Sequence, residues 1–312
     1  MNIAHGRCIE NKIILTFSLL FFLLMACKND GKKKIEYDSP KKGTIRISVD
    51  ESFQPVISEQ IKVYESLFPE THILAEYKPE ADCFRDLQKD STRMIVVAHK
   101  LSDKELEIYK NNLYYYPHQD IIAYDAISVV VNPASADSSF TINELKKLLS
   151  DSSATGYQMI MDGNNATSTV KYLLDSIMNG TIFGKNVKAA KGSMAVINYV
   201  SENPKAIGFV GSSWTSDEDD PQQMAYMKKV KLALIECKPC GKDTYTRPSQ
   251  NTMMNGEYVL VRPLYCILKE NSLMLGSAFF NFMRYEKGQL IFRRAGLVPG
   301  KMDFTIRSGS LE

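Results

Sequence analysis

Between Gln158 and Gly180 the chain reads as a strand, a polar loop and a helix in succession, and this order constrains the rest of the fold. The strand is Gln158-Met159-Ile160-Met161, and the loop runs from Asp162 to Thr169. Val170, Leu173, Leu174, Ile177 and Met178 then recur at i, i+3, i+4, i+7 and i+8, one apolar face at the helical period, and Gly180 follows as a stop. A loop of small hydroxyl and amide side chains emptying into a helix start gathers free backbone N–H groups, side-chain donors and the positive end of the helix dipole. Such a place suits an oxyanion. The plainer reading is that Thr167 or Ser168 only caps the helix. Asn165, Thr167, Ser168 and Thr169 all carry donors, which is more than one cap requires.

The same order recurs along the chain. Ile45, Ile47 and Val49 alternate as a short strand, Asp50-Glu51-Ser52-Phe53-Gln54 forms a polar loop, and Pro55 suits the first turn of a helix whose apolar face is Ile57, Ile61, Tyr64 and Phe68. A strand at Ile73 to Tyr77 and a helix from about Pro79 to Asp90 follow. Met94-Ile95-Val96-Val97-Ala98 has the composition of a buried parallel strand, and after His99-Lys100-Leu101 a capping box, Ser102 to Glu105, opens the next helix. Strand-to-helix loops of a parallel sheet open together at its carboxyl edge, where ligands bind in open α/β sheets. Ile121 to Val131 is an apolar run interrupted by Asp125, an acid that must be paired, at a functional edge or facing water. Later segments repeat the alternation: a capping box at Thr141 to Glu144, a helix after Ser193 with Met194, Ile197 and Val200, and a strand at Ala206 to Val210. An extended return at Val230 to Glu236, a strand at Val259 to Val261 and a helix from Leu275 to Tyr285 complete it.

The N-terminus has its own signature. Arg7 and Lys12 precede an apolar run from Ile13 to Met25, too short and wrongly flanked for a stable span, as in a secretory signal. Leu24-Met25-Ala26-Cys27 resembles the bacterial lipoprotein box, in which the Cys becomes the acylated first residue, so Cys27 is the expected lipid anchor. Residues 1–26 then form the signal and 27–42 a flexible tether. Cys237-Lys238-Pro239-Cys240 is open to a zinc, redox or disulfide reading, but no second Cys pair or His pair accompanies it to complete a zinc site. With 38 Lys and Arg against 36 Asp and Glu, the net charge of +2 supplies no basic field for a nucleic acid.

Taken in order, the lipobox, the first loop with Pro55, Leu101 to Glu105, Ile122-Ala123-Tyr124-Asp125-Ala126-Ile127 leading to Val131-Asn132-Pro133, and Asn165-Ala166-Thr167 before its helix resemble one family. It is the phosphate-binding, PstS-type family of ABC-transporter substrate-binding proteins, in the lipoprotein form found in Bacteroidetes. The resemblance covers Gly43 to the end of the chain. It implies an α/β, two-lobed type II periplasmic-binding-protein fold with two crossover segments and a ligand cleft between the lobes. The crossings are expected near Ile127 to Val131 and Lys231 to Glu236, making 43–128 plus 233–312 one lobe and 129–232 the other. Ser52 and the Phe53 backbone take the place of the family's first Ser/Thr loop, His99-Lys100 that of a Ser-Arg position, and Asp125 that of an acid near the crossing. Asn165-Ala166-Thr167, with Ser168 and Thr169, matches the family's Ser-Gly-Thr loop. The Arg that precedes this loop in the family is absent, Met161 and Asp162 standing there. Asp50, Glu51, Asp125 and Asp162 are the candidate acceptors for the proton of a monohydrogen phosphate.

The function implied is non-catalytic: capture of inorganic phosphate or a similar oxyanion and delivery to an ABC permease. The protein would be a monomer held at the cell envelope by its lipid, with no cofactor and no metal. An enzyme reading finds no G-x-S-x-G, no H-E-x-x-H and no P-loop. A second alternative is a degenerate binding-protein fold that serves as a sensor or surface interaction protein, with Tyr114-Tyr115-Tyr116 and Trp214 as an aromatic patch.

Overall fold

The computed structural model describes residues 38–150, 156–163 and 167–301. The expected signal segment, Cys27, Asn165 and Ala166 lie outside the described residues. The elements of the first part of the chain are β1 (Lys42–Asp50), α1 (Gln54–Leu67), β2 (Glu70–Lys78), α2 (Glu80–Leu87), β3 (Thr92–Val97), α3 (Asp103–Leu113) and β4 (His118–Val131). Next come β5 (Ser139–Phe140), α4 (Ile142–Ser150), β6 (Gln158–Met161), α5 (Ser168–Tyr172), β7 (Val187–Ala189), α6 (Ser193–Glu202), β8 (Ala206–Gly211) and α7 (Pro221–Met227). The last are β9 (Lys231–Leu232), β10 (Leu234–Glu236), β11 (Tyr245–Thr246), α8 (Gln250–Met254), β12 (Val261–Leu268), α9 (Leu275–Arg284), α10 (Glu286–Arg294) and β13 (Val298–Pro299).

One sheet, in the order β2-β1-β3-β12-β4-β8-β6-β7, runs through both lobes. β1, β2 and β3 are parallel at one end, and β6, β7 and β8 are parallel at the other. β4 joins the two halves. It pairs with β12 from His118 to Ala126, then switches to β8 from Ile127 to Val131. Alternation buries both faces of β3. Met94 and Val96 pack with Ile47, Phe53, Ile57 and Phe279, whereas Ile95 and Val97 pack with Cys83, Leu87 and Leu101 on the opposite face. In the second lobe Ile127, Val129, Leu145, Met159, Val170 and Phe209 form one core, and Val130, Ile160, Val196, Ile197 and Trp214 the other.

Several sequence expectations need adjustment. The folded domain begins before Gly43: the Asp38 carboxylate binds the Arg93 guanidinium and accepts the Leu275 N–H (3.3 Å), and Tyr64 donates to the Pro40 carbonyl at 2.6 Å. Ala233, Ile235, Met253, Tyr258 and Leu260 all pack in the second core, so the chain rejoins the first core only along β12, beyond Lys231 to Glu236. In α6 Val196 takes an inward place and Met194 lies exposed. The capping boxes at Ser102/Glu105 and Thr141/Glu144 form as the sequence predicts. Cys237 and Cys240 are bonded to each other, and Cys83 and Cys266 are buried free thiols. Among the described residues no helix is long and apolar enough to cross a membrane, and no group of acidic, His or Cys side chains is placed to hold a metal ion.

Candidate functional site

The site lies where the carboxyl end of β1 meets the loop between β6 and α5. Asp50 closes β1, and its Oδ1 accepts the Ser52 N–H at 2.9 Å, folding the chain into a short turn that hands over to α1. The same carboxylate reaches across the cleft, where Oδ2 accepts the Ser168 N–H at 3.2 Å. Ser52 donates its hydroxyl to Asp162 Oδ2 at 3.2 Å and lies 3.3 Å from Thr169 Oγ1 and 3.5 Å from Ser168 Oγ. Thr167 does two things at once: its Oγ1 accepts the Val170 N–H as the helix cap and donates to Asp162 Oδ1 at 2.7 Å. Thr167 therefore caps the helix and also holds Asp162 in the chamber.

A guanidinium completes the chamber. Arg262 stands directly opposite Asp125 in the β12–β4 pairing, and its Nε and Nη2 donate to Asp125 Oδ2 at 3.1 and 2.9 Å. Nη1 donates to Ser168 Oγ at 2.8 Å and Thr169 Oγ1 at 3.3 Å, and the guanidinium carbon lies 4.8 Å from the centre of the Phe53 ring. Asp125 Oδ1 accepts from Ser212 Oγ at 2.6 Å and the Ser213 N–H at 3.3 Å. Gly211 permits this closeness, since a Cβ there would sit 2.8 Å from the Ser52 carbonyl and 3.1 Å from Arg262 Nη2. Asp50, Ser52, Asp125, Asp162, Ser168, Thr169 and Arg262 are all buried.

Further bonds clasp the lobes around this chamber. Glu51 accepts the Ser193 N–H (2.8 Å) and hydroxyl (3.0 Å) at the start of α6, Ser213 donates to the Ser52 carbonyl at 2.7 Å, and Trp214 Nε1 donates to the Glu51 carbonyl at 3.3 Å. Outside the clasp a cavity of ≈ 620 Å³ opens between Tyr77, Glu51, Asp162, Thr167, Trp214 and Tyr226.

Burial dominates the electrostatics. It pushes the Asp50 carboxyl up to about 6, with Glu80 adding to the rise and Arg262 opposing it. Burial also pushes Glu51 up to about 7 against the Ser193 N–H, and it raises Asp162 against the hydroxyls of Thr169 and Thr167. For Arg262, burial works against the charge, but Asp125 and then Asp50 outweigh it and hold the guanidinium above its ordinary value.

Of the residues the sequence singles out, the structure places Ser52, Asp125, Thr167, Ser168 and Thr169 close to one another around Arg262 and Asp162. Phe53, singled out for its backbone, contributes its ring as a wall beneath Arg262. His99 and Lys100 stand apart. Glu80 accepts the Ala98 N–H and His99 N–H at 2.7 and 3.1 Å and pairs with His99 Nδ1 at 2.9 Å, so the histidine faces Glu80 rather than the chamber. Both residues line a separate depression of ≈ 280 Å³ with Thr167 and Lys171. Sequence reasoning missed Arg262, Ser212 and Ser213. An arginine inside the apolar strand Val261 to Leu268, beside Pro263, was the available signal, as was Ser212-Ser213 directly after a buried strand.

A two-lobed sheet with the long strand β4 crossing between its halves, and a buried guanidinium and hydroxyls where they meet, define a type II periplasmic-binding-protein fold. The chain belongs to the PBP superfamily domain family, whose model matches residues 36–286. It is 25% identical over 184 residues to the phosphate-binding protein PstS of Staphylococcus epidermidis, covering 54% of this chain and 51% of that one, about half that relative's length. It is 20% identical over 260 residues to the phosphate-binding protein PstS of Pseudomonas aeruginosa, 76% of each chain. A substrate-binding protein from Clostridium perfringens solved with bound phosphate matches the fold at a TM-score of 0.67, with 16% identity over 83% of this chain and 100% of that one. An ABC-type phosphate transport receptor from Vibrio cholerae matches at 0.59, with 17% identity over 82% and 100%.

Proposed function

We propose that the protein is a lipid-anchored, non-catalytic solute-binding protein that captures inorganic phosphate or a related oxyanion between its lobes and delivers it to an ABC permease. The observation that carries this reading is the convergence of Arg262 with the hydroxyls of Ser52, Ser168 and Thr169 in one buried chamber. Arg262 fills the need for a guanidinium that the loop before Asn165 lacks, since a forked cation beside hydroxyls suits a tetrahedral oxyanion. Donors drawn from both lobes let the ligand stabilise closure by hinge motion. The names of the relatives support phosphate as the first ligand to test. Acylation at Cys27 after removal of residues 1–26 would hold a monomer at the cell envelope.

One observation favours the second reading, a sensor or interaction protein on a degenerate binding fold: Asp50 and Asp162 already engage donors that an anion would use. Thermal unfolding of the full chain against phosphate, sulfate, molybdate and a carboxylate separates the two. A ligand at ~100 times its Kd stabilises the folded state by about 2.7 kcal/mol, a shift of a few degrees. A phosphate-dependent shift lost in Arg262→Met is the expected result. No shift with any anion would transfer the assignment to the second reading.

A further inference from the structure

The cavity of ≈ 620 Å³ outside the clasp is far larger than a tetrahedral anion needs and has the size of a site for a small organic molecule. Glu51 and Tyr77 line it from the first lobe, and Asp162, Trp214, Asp220 and Tyr226 from the second. The rings are held in place by their polar atoms. Trp214 donates its indole N–H to the Glu51 carbonyl at 3.3 Å, Gln222 donates to the Tyr226 hydroxyl at 2.9 Å, and the Tyr77 and Ser58 hydroxyls share a hydrogen bond at 2.7 Å. The Trp214 and Tyr226 ring centres lie 6.4 Å apart. With those polar atoms engaged, the rings offer the cavity their carbon surface. Charge then decides what fits beside them. Two lysines line the cavity, but Lys78 is committed to Asp86 at 2.5 Å and Glu76 at 2.6 Å. Glu59 on α1 is met by Lys62 at 3.2 Å, which leaves the exposed Lys191 against Glu51, Asp162 and Asp220. Burial raises both Glu51 and Asp162, the response of acids short of a cation. An anion here meets a net negative wall, whereas an organic ammonium meets carboxylates and aromatic carbon together.

We propose that this cavity is a second binding site, distinct from the chamber around Arg262, and that it takes an aliphatic primary amine in its ammonium form. The carboxylates of Glu51, Asp162 and Asp220 accept hydrogen bonds and donate none when ionised, so they suit a cation that carries N–H donors better than a quaternary one, which has none to give. The rings of Tyr77, Trp214 and Tyr226 cover the carbon chain. Because its walls come from both lobes, a bound amine joins Glu51 on one side to Asp220 on the other and adds to the clasp. The site is independent of what the chamber holds.

Calorimetric titration of the full chain in detergent with putrescine, choline and uncharged butanediol tests this, with inorganic phosphate titrated into the same preparations. Putrescine is expected to bind saturably and to shift the emission of Trp214, the single tryptophan, and butanediol to do neither. Asp220→Asn keeps a capping side chain for α7, and Glu51→Gln keeps an acceptor for Ser193. Each should weaken putrescine about tenfold or more, the loss of one charge-assisted hydrogen bond. Phosphate affinity should be the same in Asp220→Asn as in wild type, since Asp220 lies outside the chamber. Absence of putrescine heat overturns the inference, and phosphate heat in that preparation would leave the phosphate reading standing without it. Equal heat from butanediol, or a putrescine affinity unchanged in both folded variants, overturns it as well. Choline bound more tightly than putrescine overturns the primary-amine assignment.

Discussion

Arg262 and Asp125 face each other across β12 and β4, 137 residues apart in sequence and both fully buried. Removing one member of such a pair strands the other charge in the interior, at a cost of about 3–5 kcal/mol, while replacing both is far less severe. Arg262→Met is thus expected to lower unfolding stability by that amount. The double variant with Asp125→Asn should recover much of it, and a denaturant-unfolding double-mutant cycle measures the coupling.

The buried acids set a pH dependence of stability with a definite sign. Asp50 is raised from an ordinary 3.8 to about 6, so its contribution is full below the unfolded value and is lost as pH rises through the folded one. The loss is roughly 2–3 kcal/mol by about pH 8. Glu51, raised to about 7, acts in the same direction. Asp86 has the opposite sign: against burial, its ion pairs with Lys78 and Lys89 hold it below the ordinary range, so its contribution disappears on acidification below about pH 4. Melting temperatures across this range should peak between the two limbs, and Asp50→Asn should flatten the alkaline limb.

Trp214 is the single tryptophan of the chain, and its indole N–H is bound to the Glu51 carbonyl beside the clasp to Ser193. Glu51→Ala removes two hydrogen bonds to a charged acceptor, each worth about 1.5–3 kcal/mol when fully buried and less at this partly exposed position. The lobes should then part more readily. A red-shifted Trp214 emission with increased acrylamide quenching is the expected readout.

Thr167 and Ser102 both cap helices, yet only Thr167 also holds Asp162 in the chamber. Each change to Ala should reduce stability by about 1 kcal/mol. Phosphate titration distinguishes them, because Thr167→Ala weakens binding while Ser102→Ala leaves it unchanged.

Gly211 has no room for a side chain between the Ser52 carbonyl and Arg262. Gly211→Ala is expected to destabilise the protein by about 1–3 kcal/mol through overpacking and to reduce phosphate affinity by displacing Ser52, both measurable on one preparation by melting and calorimetry.

Much of the fold was legible in local pattern. Alternation at Ile45, Ile47 and Val49, the helical stripe from Val170 to Met178, and the capping boxes at Ser102 and Thr141 are short-range effects written in neighbouring residues, and they form as expected. Ser52 and Thr167 to Thr169 were legible for the same reason, as hydroxyls at strand-to-helix loops. His99 and Lys100 occupy such a loop as well, but Glu80, eighteen and more residues away, turns the histidine aside.

What tertiary structure alone decided is which charges meet. Register between β12 and β4 brings Arg262 onto Asp125, and lobe contact brings Asp50 onto the Ser168 N–H and Glu51 onto Ser193. Local sequence determines where loops and donors lie because backbone periodicity is a near-neighbour property. Whether a carboxylate is solvated, paired or seated where a ligand would lie depends on burial and on partners distant in sequence, 142 residues away for Glu51 and Ser193, which only the closed fold assembles.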